Sequence, residues 1–430
     1  MLMAKHLQAL LFLSVILFGL TVNGQTDSNQ TILVKPQQPS LISQTVIQPN
    51  GTPMEIAPKK SSWYDNVAIR GYMQVRYNRL LETNSQLKCE QCDRSWGDGN
   101  GFFIRRMRII LFGQLSKRVY LYVQPDFASS TSTNALNYGQ LRDAYFDLGL
   151  DDNNEFRFRI GQSKIPYGFE NMQSSQNRLA LDRNDALNSA VANERDLGVF
   201  FYWAPKKKRE LFSSLVRDGL KGSGDYGIFA IGAYNGQIAN RPEANNELHY
   251  VARITMPFEY KNQIIEAGFQ AYTGKYTISA DQLSKGVSAV SNLTYLDQRA
   301  AATFVLYPKP FGIFAEYNIG KGPQFNKNTG AIETRNLSGG YALFNYMIKV
   351  NNQQFYPFVR YQVYEGGKKH ERDARSYNVK EIETGIEWQP YKTFELVVMY
   401  TTSDRRFEDY TLQNNRQKGS LLRIQAQVNF

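Results

Sequence analysis

Histidine, cysteine and tryptophan are nearly absent from this 430-residue chain, which holds three, two and four of them. So little imidazole leaves few groups for acid–base work near neutral pH. The cysteines form Cys89-Glu-Gln-Cys92. A zinc site there would need two more ligands, and only far-separated histidines could supply them. Neither a metal nor a cofactor is expected. There is no Gly-x-Ser-x-Gly elbow and no phosphate-cradling loop of Walker spacing. Gly320-Lys321-Gly322-Pro323 comes nearest, but its proline removes a backbone donor, and it reads as the start of an outer loop. No catalytic residue is assigned, and an enzyme is not expected.

Long hydrophobic runs are missing too. The apolar stretch Leu7–Leu20 spans about 14 residues, short of the ~20 a membrane-spanning helix needs. It follows Lys5 and His6 and precedes Val22-Asn23-Gly24. Residues 1–24 therefore read as a cleaved signal peptide. Export removes nucleic acid as a partner for the basic excess, 50 Lys+Arg against 39 Asp+Glu, which is scattered instead of blocked. Export also makes Cys89–Cys92 a candidate disulfide across a tight loop. Residues 25–62, rich in Gln, Ser, Pro and Thr, read as a flexible periplasmic linker.

What is present is alternation. From Leu422 to Phe430 the apolar residues Leu422, Ile424, Ala426, Val428 and Phe430 share one parity, while Arg423, Gln425, Gln427 and Asn429 take the other. That is a strand with one apolar and one wet face. The pattern recurs in sixteen segments: 67–80, 102–115, 118–127, 139–150, 155–163, 196–204, 226–235, 247–258, 263–277, 297–308, 311–320, 335–349, 353–365, 376–390, 393–404 and 420–430. The connections alternate in length. Ser116-Lys117, Asp151–Asn154, Glu259–Asn262, Lys309-Pro310, Asn351-Asn352 and Tyr391-Lys392 are short. Segments 81–101, 164–195, 278–296, 321–334, 366–375 and 405–419 are long. Short turns at one end and long loops at the other define a transmembrane antiparallel β-barrel over residues 63–430, whose polar average (mean hydropathy −0.46) reflects a wet lumen. Segment 205–225 breaks the alternation: a short turn is expected there, and Lys206-Lys207-Lys208-Arg209 stands instead. The 27 tyrosines and 26 phenylalanines suit the aromatic girdles at the two membrane surfaces.

Parity also assigns faces. Arg70, Arg76, Arg106, Arg108, Arg157, Arg159, Arg253, Arg299, Arg360 and Arg423 fall inward. So do the acids Asp143, Asp147, Glu266, Glu316, Glu381, Glu383 and Glu387. An outward arginine at mid-membrane costs about 2–4 kcal/mol, so energy alone sends these charges to the lumen. The excess of bases is small, and some arginines must pair with carboxylates across strands.

Several motifs resemble those of the phosphate-selective porin family of bacterial outer membranes. Gly161-Gln-Ser-Lys164-Ile-Pro166-Tyr-Gly168-Phe-Glu170 is similar to its G-x-x-K-x-P-[FY]-G-x-E signature. Arg195-Asp196-Leu197-Gly198-Val199 and Phe103-Ile-Arg-Arg-Met-Arg108 resemble two more, and Asp143-Ala144-Tyr145 and Tyr234-Asn235-Gly236 fit short ones. The resemblance implies a 16-stranded, trimeric barrel whose loop 164–195 folds into the channel, carrying Lys164, Arg178, Arg183 and Arg195. Within that loop, Lys164 with Glu170 is a candidate structural pair, and Arg195-Asp196 a candidate strand cap. The terminal Phe430 resembles the residue by which the barrel-assembly machinery recognises outer-membrane proteins. Two functions remain open. One is a porin for small hydrophilic solutes, with a mild preference for anions such as phosphate. The other is a plugged barrel serving adhesion or an envelope complex through its long loops.

Overall fold

The computed structural model describes residues 45–47, 53–55, 62–81, 101–129, 137–191 and 195–430. Cys89 and Cys92 lie outside them. Two compact units result, residues 1–61 and 62–430. In the first, Thr45–Ile47 pairs antiparallel with Pro53–Glu55, a short ribbon inside the segment read as a linker.

The second unit is a closed antiparallel barrel. Its strands are β1 (Val67–Leu80), β2 (Gly101–Gln114), β3 (Val119–Ser129), β4 (Tyr138–Gly149), β5 (Phe156–Lys164), β6 (Arg195–Trp203), β7 (Phe229–Tyr234) and β8 (His249–Tyr260). They continue as β9 (Gln263–Thr277), β10 (Thr294–Leu306), β11 (Phe311–Asn326), β12 (Ala331–Tyr346), β13 (Gln353–Gly367), β14 (Ser376–Tyr391), β15 (Phe394–Glu408) and β16 (Arg416–Asn429). After Met347, β12 resumes as Ile348–Val350, still paired with β13. β16 pairs with β1, and Phe430 and Gly71 exchange backbone hydrogen bonds of 3.0 and 2.7 Å. Nothing in hydrocarbon can satisfy a free strand edge, so this closure is what permits spanning.

The alternation read from sequence holds in space. Along β8, Val251 and Arg253 are buried in the lumen while Tyr250 and Ile254 face outward, Ile254 being 53% exposed. At one rim, Phe156 stacks on Trp203 at 6.2 Å and Phe355 on Trp388 at 6.4 Å. Asn351 and Asn352, at φ 47° and 65°, make the two-residue turn between β12 and β13, the doubly left-handed geometry that matches strand twist.

Three expectations need correction. First, segment 321–334 is not a long loop: β11 and β12 run on and meet through a connection of 327–330. Lys321-Gly322-Pro323 is therefore strand. Pro323 lies past the last residue of β11 that pairs with β10, where its missing N–H costs nothing. The strand parity is weak there because Gly322 and Pro323 interrupt it, although Phe325 and Ile332 are buried on one face. Second, the outer connections after β13 and β15 shorten to 368–375 and 409–415 because the flanking strands run longer. Third, 205–225 contains a helix, described below.

A charge on the outer stripe tests the membrane assignment. Ile254→Arg should cost about 2–4 kcal/mol, read as a lower urea midpoint in heat-modifiable gel mobility of the refolded barrel. An unchanged midpoint would place Ile254 away from lipid.

Candidate functional site

Beyond β5 the chain turns into the barrel. It carries two short helices, α1 (Phe169–Met172) and α2 (Asp185–Ala190), every residue of which is buried. A buried loop must satisfy its own backbone, and the residues of the Gly161–Glu170 motif see to this. Lys164 Nζ donates to the carbonyls of Met172 and Gln173 at 3.1 and 2.6 Å. Phe169 N–H donates to Glu316 at 2.6 Å. Glu170 accepts from the backbone and side-chain amides of Asn184 at 2.7 and 2.9 Å, and Asn184 caps α2 by accepting from Leu187 N–H at 3.0 Å. Gly168 has φ +79°, and a Cβ there would lie 2.3 Å from Leu187, so only glycine fits.

Lumen arginines fix this loop in place. Asp182 is shared by Arg423 at 2.7 Å, Arg76 at 3.0 Å and Arg105 at 3.4 Å. Arg360 reaches Glu170 at 2.7 Å and also pairs with Glu383. Arg405 binds Asp185 at 2.8 Å and Glu381 at 2.6 Å. Arg299 donates to Ser189 Oγ and its carbonyl at 2.6 and 2.9 Å. Arg106 donates to Gln74 at 2.8 Å. Arg76, Arg360 and Arg423, read as pore lining, thus spend their donors on carboxylates of the loop and of neighbouring strands. The described partners redraw one pairing: Glu170 takes Arg360 and Asn184 in place of Lys164. At the entry of β6, Arg195 pairs with Asp143 at 2.8 Å. Asp196 instead accepts backbone N–H bonds from Leu197, Gly236 and Ile238. The short motifs around Asp143, Arg195 and Gly236 therefore interlock in space.

Arg105 was not assigned inward because strict parity forbids it beside Arg106. A bulge explains it: Gln74 pairs with Arg106 and Val75 with Ile104, leaving Arg105 as the extra residue.

Segment 204–228 also enters the barrel mouth. Helix α3 (Lys206–Arg217) buries Phe212 and Leu215 against a cluster that includes Leu179, Leu181, Phe314, Tyr356, Val397 and Met399. The helical spacing of Leu211, Phe212, Leu215 and Val216 was the available signal. Lys221 binds Glu387 at 2.5 Å, and Gln173 of the outer loop donates to the Lys221 carbonyl at 2.6 Å. Asp225 holds both Arg157 at 2.9 Å and Arg209 at 2.8 Å. Burial pushes the Asp225 carboxyl up, but the two guanidinium groups pull it down to about 2.

The loop and α3 leave a cavity of about 430 Å³ along β2–β5 and the start of β1. Eight basic side chains line it, Arg70, Arg108, Arg118, Arg157, Arg159, Lys164, Arg195 and Arg209, against three carboxylates, Asp143, Asp147 and Asp225. Arg159 is bidentate on Asp147 at 2.7 and 2.8 Å. Of the expected constriction residues, Lys164 and Arg195 reach this cavity. Arg178 is buried within the loop, and Arg183 donates to the Val191 carbonyl at 3.4 Å.

A family model described as phosphate-selective porin O and P matches residues 85–430. No curated protein matches the chain. Among solved structures, the outer membrane channel DcaP of Acinetobacter baumannii aligns at 14% identity and TM-score 0.51, covering 85% of this chain and 97% of its own. Salmonella typhi OmpF, in complex with daunomycin, aligns at 13% identity and TM-score 0.51, covering 85% and 98%. Both are likenesses of fold.

Asp182→Asn should leave three crowded guanidinium groups short of a charge, at a cost of about 3–5 kcal/mol. The expected result is a lower thermal midpoint together with noisier open-channel current, and a quiet channel of wild-type midpoint would refute the latch. For Asp225, the depressed value means its contribution is complete above the ordinary value of 3.8 and is lost as pH falls toward 2. Asp225→Asn should therefore reproduce at pH 7 a loosening of segment 204–228, read by limited proteolysis, that wild type shows only in strong acid.

Proposed function

This chain belongs to the phosphate-selective porin O and P family, and from that membership and the lumen's charge we propose a passive channel for small hydrophilic solutes with a mild preference for anions. It is an outer-membrane β-barrel of the porin type. The observation that carries the preference is the lining of the cavity, eight bases against three acids. Such an excess lowers the barrier for an entering anion and raises it for a cation. The preference stays mild because carboxylates already engage most of these bases. Lys164 donates to two backbone carbonyls, and the Arg70 guanidinium lies 4.9 Å over the Phe112 ring and meets no acid among the described residues.

Residues 1–24 act as the cleaved export signal, 25–62 as a periplasmic linker, Phe430 as the contact for the barrel-assembly machinery, and the barrel as one member of a homotrimer surrounded by outer-membrane lipid. The loop from 164 to 195 narrows the channel, with Lys164 and Arg195 at its edge. A second reading, a plugged barrel that works through its outer loops, is favoured by the packing of α3 inside the mouth. Ion flow separates the two.

In planar bilayers under a KCl gradient, the reversal potential should take the sign of chloride preference. Arg70→Glu should shift it toward potassium. An electrically silent barrel supports the plugged reading, and a cation-selective wild type overturns the anion preference.

A further inference from the structure

Charge alone does not account for the cavity. Four tyrosines, Tyr120, Tyr122, Tyr145 and Tyr226, share its wall with the arginines. Tyr122 and Tyr145 face each other across β3 and β4 with centroids 5.1 Å apart, nearly parallel at 14°. Arg159, neutralised by Asp147, lies 4.0 Å over Tyr145 and 5.3 Å from the Tyr226 centroid. Opposite Tyr145 on β5 stands Gly161, which adds no side chain. On the other flank, Phe112 pairs with Tyr122, and Arg70 caps the Phe112 ring. An aromatic band thus crosses β2, β3 and β4 and ends at one uncompensated cation. The hydroxyls of Tyr120, Tyr145 and Tyr226 have no hydrogen-bond partner among the described residues. Ile110, Met172 and Val216 add apolar surface.

A site for a multiply charged inorganic oxyanion would present several free forked cations in a tight space. Here the cations are tied down, and the volume is in the range that holds ring-sized organic ligands. We infer that this cavity takes planar aromatic monoanions of the aryl carboxylate class, the ring against the tyrosine band and the carboxylate on Arg70 and the free phenol hydroxyls. The inference rests on the anion-channel reading and narrows it to a solute class that differs from inorganic phosphate.

Block of chloride current tests it, with benzoate, acetate and inorganic phosphate as probes on the full-length barrel in planar bilayers. Ring–ring contact of about 0.5–1.5 kcal/mol converts to a half-blocking benzoate concentration roughly 2- to 10-fold below that of acetate. Tyr226→Leu lies in the connection and not in the barrel wall, so assembly should survive it. It should shrink the benzoate advantage, and Arg70→Gln should weaken benzoate and acetate alike. Heat-modifiable mobility confirms that each variant is folded. Benzoate no better than acetate, or phosphate better than both, in a chloride-preferring channel overturns this inference and leaves the channel reading standing. A silent or cation-selective channel overturns the reading beneath it, and the inference with it.

Discussion

Hydrocarbon offers no hydrogen bonds, and everything in this molecule follows from that. A strand edge left open to lipid would strand its N–H and C=O groups at several kcal/mol each. The sheet must therefore meet itself, β16 against β1. Once it does, the outer face within the hydrocarbon favours apolar side chains, and a charged residue at that depth is driven inward. The lumen fills with charge because the exterior refuses it.

That crowding sets the next requirement. Arginines and carboxylates taken from water are tolerable only when they satisfy one another. Arg159 and Asp147 do so between adjacent strands. Others find no acid on a neighbouring strand and take one from the inserted loop, as Arg76 and Arg423 do with Asp182. The loop is held because the wall needs its acids as much as the loop needs a seat. On the β10–β15 side the remaining space is closed by apolar packing around Phe212 and Leu215. The cavity described above lies on the side where bases exceed acids.

Much of this was written in period-two alternation. β1, β5, β8 and β16 are legible because lipid on one face and water on the other impose opposite chemistries on successive residues. Legibility fails where that contrast fails. β11 extends through Gly322 and Pro323, residues that read as a loop, although Phe325 and Ile332 beyond them are buried. Arg105 sits on a bulge, which breaks parity by one residue. The helix over Lys206–Arg217 faces barrel interior, and its four leading basic residues masked a helical period. Within the site, inward direction was readable for Arg70, Arg157 and Arg159. Which acid each arginine would take was not, since Asp182 and Asp225 lie in connections whose position depends on the whole closed wall.

Asp182 joins the first strand of the barrel to the last: Arg76 comes from β1 and Arg423 from β16, separated by nearly the whole sequence. Until the final strand is placed, this carboxylate has Arg76 and Arg105 but lacks Arg423, the shortest of its three contacts. Full seating of the loop is thereby coupled to closure of the wall, since one carboxylate takes part in both.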